Sequence, residues 1–170
     1  MEDNNYSLKL SGAYIELTAH CNANCPYCYN DSGERKNYLS LDTVRNILDQ
    51  LKSSHIYAVV FSGGEPFLYP HIYEIISYAE ELGIKPTIIT NTSLIRDDEI
   101  AALLSRKLSL QITFDSVFEE QHDITRGKGN FKKLMRFLSY VKNNPDCAKK
   151  LIIRFNINKE NYYQIDHFIN

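Results

Sequence analysis

The chain has 170 residues, of which 44% are hydrophobic and 24% charged, so we expect one globular domain spanning residues 1–170 rather than a disordered chain. Its 19 Lys and Arg against 21 Asp and Glu give a formal net charge of −2, which argues against a dedicated nucleic-acid binder. Residues 1–10 lack the apolar segment of a secretory signal and no apolar run approaches the roughly 20 residues that cross a bilayer, so we expect a cytoplasmic protein with no nucleic-acid or membrane partner.

Five strand candidates alternate with helix candidates along the chain. The strands are expected at residues 13–17, 57–61, 87–90, 108–114 and 151–157. Between them, apolar residues recur at the spacing of one helix face, as Val44, Ile47, Leu48 and Leu51 do in the first helix. The order therefore predicts repeated βα units.

Capping residues set the expected helix boundaries. Ser40 is predicted to cap the first helix, and Pro70 to occupy the first turn of the second, which Gly83 ends. Asp97 suits the positive end of the third helix, and Asn130 is predicted to cap the fourth. A fifth helix is expected to start near residue 162.

Five βα units in a row predict a parallel sheet, and near-continuous apolar strands agree with a sheet covered by helices. Periodicity alone leaves open a doubly wound sheet or part of a (β/α) TIM-like barrel. Polar residues follow all five strands, which favours a barrel because a doubly wound sheet reverses its strand order and would separate them. We therefore expect a partial, open barrel in the order 1-2-3-4-5, incomplete before a sixth unit.

Three of the four cysteines, Cys21, Cys25 and Cys28, crowd into eight residues. In a chain without secretion signals, such thiols are typical of metal ligands rather than disulfides. A closed zinc site needs a fourth ligand. His20 is a candidate, but its position directly before Cys21 gives a cramped geometry for binding the same metal ion. A cubane iron–sulfur cluster usually takes four cysteines, so three leave one iron open to a substrate or cofactor. We favour the cluster over zinc or incidental thiols, and expect Cys147 to be a spare thiol.

The sequence resembles the radical S-adenosylmethionine (radical SAM) family. The resemblance rests on the three cysteines in the family's CxxxCxxC arrangement and on Tyr27 just before the last of them. Gly63-Gly64-Glu65-Pro66, after the second strand, is similar to the family's GGEP motif. Residues 122–127 resemble a stretch of the peptide-modifying, SPASM-like relatives.

The resemblance implies that Cys21, Cys25 and Cys28 hold three irons of a 4Fe–4S cluster, and that S-adenosylmethionine chelates the fourth iron. It places Tyr27 near the adenine of this cofactor.

At the second strand, the resemblance implies that Gly63, Gly64 and Glu65 receive the methionyl ammonium. Glycines at such positions let the backbone approach a ligand closely. Thr90 and Asn91, after the third strand, are implied to line the same pocket.

After the last two strands, the resemblance implies that Asp115 or Ser116 contacts the ribose and that Arg126 meets the cofactor carboxylate. Asn156 is implied at the adenosyl end. His122 is a weaker candidate for substrate contact.

Plainer interpretations stay open for these residues. Gly63 and Gly64 suit a simple turn after a strand. Tyr27 suits ordinary aromatic packing, Asp115 a turn, and Arg126 a solvated loop.

The implied function is reductive cleavage of S-adenosylmethionine to a 5′-deoxyadenosyl radical, which abstracts hydrogen from a substrate, a peptide or protein in the peptide-modifying branch. The implied electron donor is a flavodoxin or ferredoxin. The alternative is a truncated, non-enzymatic iron–sulfur or zinc-binding domain with a structural, redox or assembly role.

Overall fold

The computed structural model of the protein describes residues 10–169. Residues 1–9, on which the expectation about a secretory signal largely rests, lie outside the described residues, as does residue 170. None of the helices between residues 10 and 169 combines the length and the apolarity needed to span a bilayer.

Five parallel strands form one sheet. They are β1 (Ala13–Thr18), β2 (Ala58–Gly63), β3 (Lys85–Thr90), β4 (Ser109–Phe114) and β5 (Leu151–Phe155). Hydrogen-bonded neighbours follow the chain order β1-β2-β3-β4-β5, and each pair is parallel. This order confirms the partial, open barrel. It excludes a doubly wound sheet, in which the strand order would reverse at a switch point.

Within residues 10–169, six α-helices accompany the sheet. They are α1 (Leu41–Ser53), α2 (Ile72–Glu81), α3 (Asp97–Ser105), α4 (Glu119–Arg126), α5 (Asn130–Asn143) and α6 (Ile165–Ile169). Short 3₁₀ turns cover Pro66–Leu68, Pro145–Lys150 and Tyr162–Gln164. Helix α4 was not predicted, because His122 is its one buried residue and it carries no apolar stripe.

Most predicted helix boundaries hold, with two corrections. The Ser40 hydroxyl accepts the backbone N–H of Thr43, which confirms the first cap. Pro70 precedes α2 instead of lying in its first turn, since His71 is the cap and still has non-helical backbone angles. Asn130 is the first residue of α5 rather than its cap, which is Gly129 at φ +81°. The Asn130 amide oxygen is instead 3.2 Å from Nε2 of His122.

Burial alternates along β1 and β3, so the helices cover one face of the sheet and not both. In β1, Ile15 and Leu17 are buried whereas Tyr14 and Glu16 are exposed. The buried side chains pack with the helices into one core. The other side of the sheet, here called the open face, carries half-buried or exposed side chains. The open face comprises Tyr14, Glu16, Val60, Thr87, Ile89, Gln111, Thr113, Ile152 and Arg154.

Candidate functional site

The carboxyl ends of the strands and the loops that follow them surround one cavity. Eleven of the fourteen candidate residues from the sequence line it. They are Cys21, Cys25, Tyr27, Cys28, Gly63, Gly64, Glu65, Thr90, Asn91, Arg126 and Asn156. Residues that follow all five strands therefore converge, as expected for the carboxyl edge of a parallel barrel.

Seven further residues line the same cavity and were missed by the sequence analysis. They are Ala23, Tyr29, Ser32, Ser62, Ile89, Thr113 and Arg154. Three of them, Ile89, Thr113 and Arg154, belong to the open face. Reading the strands with a period of two would have placed these side chains inside the barrel.

The loop between β1 and α1, residues 19–40, is here called the cysteine loop. Two backbone hydrogen bonds attach the end of β1 and the start of this loop to the end of β2. The Gly64 N–H donates to the Thr18 carbonyl at 2.6 Å, and the Glu65 N–H donates to the His20 carbonyl at 2.9 Å. A Cβ on Gly63 would lie 2.2 Å from the Thr18 oxygen, and one on Gly64 would lie 2.1 Å from the His20 oxygen. These glycines thus allow two protein segments to touch, rather than only the approach of a ligand that was expected.

A side-chain network attaches the cysteine loop to the end of β3. The Asn91 amide donates to Oδ1 of Asn22 at 2.9 Å, and the Asn22 amide donates to the Ser93 hydroxyl at 2.7 Å. The Ser93 hydroxyl in turn donates to Oδ1 of Asn91 at 2.6 Å. Asn91 therefore lines the cavity and also holds the loop in place.

Cys21, Cys25 and Cys28 are free, half-buried thiols. Burial raises the pKa of Cys21 to about 11 and also raises the pKa of Cys25, although the nearby Arg126 guanidinium opposes the second rise. The Ala23 N–H points at Sγ of Cys21, 3.4 Å away. Among residues 10–169, no three His, Cys, Asp or Glu side chains are grouped as ligands of a single metal ion.

The Glu65 carboxylate lies buried between the ends of β2 and β3, so Glu65 is not a solvent-facing turn residue. Its Oε1 accepts the Phe67 N–H at 3.1 Å and the Thr90 hydroxyl at 2.8 Å. Its Oε2 accepts the Asn91 N–H at 2.9 Å. Burial raises the pKa of Glu65 to about 6, because these three donors offset only part of the desolvation cost.

Asp115 and Arg126 form an ion pair beside the cavity. The guanidinium contacts both carboxylate oxygens, with Nη2 3.1 Å from Oδ1. The carboxylate also accepts the Thr125 hydroxyl and the Asn156 amide, each at 3.0 Å. Burial alone would raise the pKa of Asp115, but the hydrogen bonds and charge of Arg126 outweigh it and lower that pKa.

This ion pair revises the predicted positions of two residues. Asp115 lies behind Arg126 and does not line the cavity. Arg126 lies in the last turn of α4 and is largely buried, so it is not a solvated loop charge.

Two other side chains turn away from the cavity. The Ser116 hydroxyl is fully buried and donates to Oε1 of Gln164 at 2.8 Å, which ties β4 to the Tyr162–Gln164 turn. His122 is also fully buried, with Nδ1 3.3 Å from the Asp115 amide nitrogen, so it packs inside and does not line the cavity. The cavity thus has Arg126 and Asn156 where the sequence suggested Asp115 or Ser116.

Tyr27 lies on the cysteine loop and lines the cavity. Burial raises the pKa of its hydroxyl. The residue is 43% exposed, so its side chain remains accessible to a ligand.

Comparison with known proteins identifies the family of the chain. The sequence profile of the Radical SAM superfamily matches residues 15–169. The chain belongs to this superfamily. Its members use a 4Fe–4S cluster and S-adenosylmethionine.

The relatives of the chain include proteins named for mycofactocin maturation and for subtilosin biosynthesis. Mycofactocin maturase MftC of Mycolicibacterium smegmatis is 31% identical over 90% of this chain and 39% of its own length. The subtilosin biosynthesis protein AlbA of Bacillus subtilis is 31% identical over 76% of this chain and 30% of its own. This chain therefore spans less than half the length of these relatives.

A solved structure has the same fold. Streptococcus suis SuiB, bound to its precursor peptide SuiA, superposes with a TM-score of 0.81 and 24% identity, over 94% of this chain and 36% of SuiB. The radical SAM fold of this chain is thereby confirmed.

Gly64→Ala should destabilise the protein by about 1–3 kcal/mol, because the new Cβ would collide with the His20 carbonyl. Gly33→Ala is the matched control, since Gly33 also lies in the cysteine loop and has no atom within 4 Å of its Cβ position. The control should change stability by less than about 0.5 kcal/mol in urea unfolding. Equal effects of the two variants would contradict the close backbone contact.

Glu65 should make the stability depend on pH in an identifiable window. The pKa of Glu65 is raised to about 6 in the folded chain. The protonated carboxyl therefore contributes its full stabilisation at pH values below the unfolded pKa, and this stabilisation is lost as the pH rises through 6. Between pH 5 and pH 7 the wild type should therefore lose about 1 kcal/mol more than Glu65→Gln. Urea unfolding of both proteins at the two pH values measures this difference, and parallel pH dependences would show that Glu65 titrates normally.

Proposed function

We propose that this chain is the cofactor-binding part of a radical SAM enzyme that modifies a peptide or protein. In this proposal Cys21, Cys25 and Cys28 hold a 4Fe–4S cluster, and S-adenosylmethionine occupies the same cavity. The observation that carries the proposal is that three free thiols and the Gly63-Gly64-Glu65 turn line one cavity and are joined by backbone hydrogen bonds.

The residues of the cavity suit this pair of cofactors. Three thiols on one loop match a cluster that keeps one iron free of protein ligands. When bound, the cofactors supply an electron to the sulfonium and a 5′-deoxyadenosyl radical that removes hydrogen from the substrate. The chain's own part is to orient the ligand and exclude water.

Glu65 is suited to receive an ammonium group. Its Oε2 accepts one hydrogen bond, from Asn91, whereas Oε1 accepts two. Oε2 therefore retains a lone pair for a charge-assisted hydrogen bond from the methionyl ammonium. Arg126, which Asp115 holds through Nε and Nη2, is proposed to contact the cofactor carboxylate. Tyr27 and Asn156 are proposed at the adenosyl end.

The peptide substrate is inferred from the relatives. MftC and AlbA are named for mycofactocin and subtilosin, and SuiB was solved with its precursor peptide. A flavodoxin or ferredoxin is the proposed electron donor, since the proposed cleavage consumes an electron.

Cluster loading should depend on each of Cys21, Cys25 and Cys28, because no neighbouring side chain can replace a lost thiolate. After anaerobic reconstitution, the wild type should hold about four irons and four sulfides per chain. Cys21→Ala, Cys25→Ala and Cys28→Ala should each lose most of this content. The control is Cys147→Ala, since Cys147 is half-buried and packs against the core.

Iron and sulfide analysis measures the loading, and chromatography of 5′-deoxyadenosine after reduction measures the cleavage. Unchanged loading in any of the three cysteine variants would contradict the ligand assignment. A loaded cluster that yields no 5′-deoxyadenosine would favour the non-enzymatic alternative.

A further inference from the structure

The cavity contains one charged side chain without a partner. Of its charged groups, the Glu65 carboxylate accepts three hydrogen bonds and the Arg126 guanidinium is paired with Asp115. Arg154 also lines the cavity, yet its side chain makes no hydrogen bond or ion pair with any residue between 10 and 169. Its guanidinium is therefore available to a ligand.

Arg154 differs in this respect from every other arginine of the chain. All seven arginines lie within residues 10–169, and six of them pair with a carboxylate. The pairs are Arg35–Asp31, Arg45–Glu74, Arg96–Asp98, Arg106–Glu80, Arg126–Asp115 and Arg136–Asp97. The arginine without a carboxylate is thus the one on β5 that faces the cavity.

The position of Arg154 follows from the alternation of side chains between the two faces of β5. Leu151 and Phe155 pack against the core, so Arg154 points to the open face, opposite Thr113 on β4. Asn156 lies two residues closer to the carboxyl edge, where the cysteine loop and Glu65 also lie. Arg154 therefore occupies a deeper level of the cavity than the residues proposed to hold the cofactors.

We propose that Arg154 binds a carboxylate group of the substrate, such as an Asp or Glu side chain of a peptide. This inference rests on the proposed function, in which the cofactors fill the level of the strand ends. A guanidinium offers two parallel N–H donors that match the two oxygens of a carboxylate, which gives both affinity and orientation. Such a contact would hold the substrate within the barrel, close to the reacting cofactor.

The methionyl group of S-adenosylmethionine also carries a carboxylate, so the experiment must separate the two sources. Two capped tripeptides serve as probes, acetyl-Gly-Glu-Gly-amide and acetyl-Gly-Gln-Gly-amide, which differ only in the acid group. Isothermal titration calorimetry measures the binding of each peptide, and of S-adenosylmethionine, to the reconstituted protein. The readout is affinity, so it does not depend on turnover.

The wild type should bind the Glu peptide about tenfold or more tightly than the Gln peptide. Arg154→Gln should abolish this preference and leave the affinity for S-adenosylmethionine unchanged. Arg45→Gln is the matched control, because Arg45 pairs with Glu74 away from the cavity and its loss should leave the preference intact. Unchanged thermal unfolding of Arg154→Gln would show that the variant folds.

Equal or undetectable binding of the two peptides by the wild type would overturn the proposal, as would a preference that survives in Arg154→Gln. A loss of S-adenosylmethionine affinity in Arg154→Gln, with the peptide preference intact, would assign the carboxylate to the cofactor and also overturn it. Failure of the proposed function is a separate result, namely a wild type that loads no cluster or does not bind S-adenosylmethionine.

Discussion

The site depends on the close backbone contact between the cysteine loop and the end of β2. Two hydrogen bonds join the Thr18 and His20 carbonyls to the N–H groups of Gly64 and Glu65. The contact leaves no room for a Cβ at either glycine, so it is a steric constraint as well as a polar one. Because the thiols and the Glu65 carboxylate are carried by these two segments, this contact fixes one relative to the other before any ligand binds.

Two of the charged groups at the cavity, Glu65 and Arg126, have protein partners, whereas the Arg154 guanidinium has none among residues 10–169. Glu65 is buried and held by three donors, and Asp115 with Arg126 forms a pair in which each charge compensates the other. Removing one member of such a pair would leave a buried charge uncompensated, which is strongly unfavourable. Arg154 is the contrasting case, since an exposed cation costs little to keep unpaired and is ready for an anionic group.

Much of this arrangement was predictable from the sequence, because the cysteine spacing, the glycine turn and the strand order are local patterns. The pairing of Asp115 with Arg126 was not predictable, since it depends on helix α4, whose polar sequence shows no apolar stripe. The reason for glycine at position 64 was also hidden, because it lies in a contact between segments distant in sequence. Arg154 could have been found from the sequence, because alternate residues of a strand point to the same face and those of the open face point into the barrel.

The most direct test of the account is electron paramagnetic resonance of the reduced, reconstituted protein with and without S-adenosylmethionine. If three cysteines hold the cluster and one iron is left for the cofactor, the protein should show the signal of a reduced 4Fe–4S cluster. Addition of S-adenosylmethionine should then change that signal, because the ligand binds the open iron directly. A cluster signal that is identical before and after saturating S-adenosylmethionine would contradict the account.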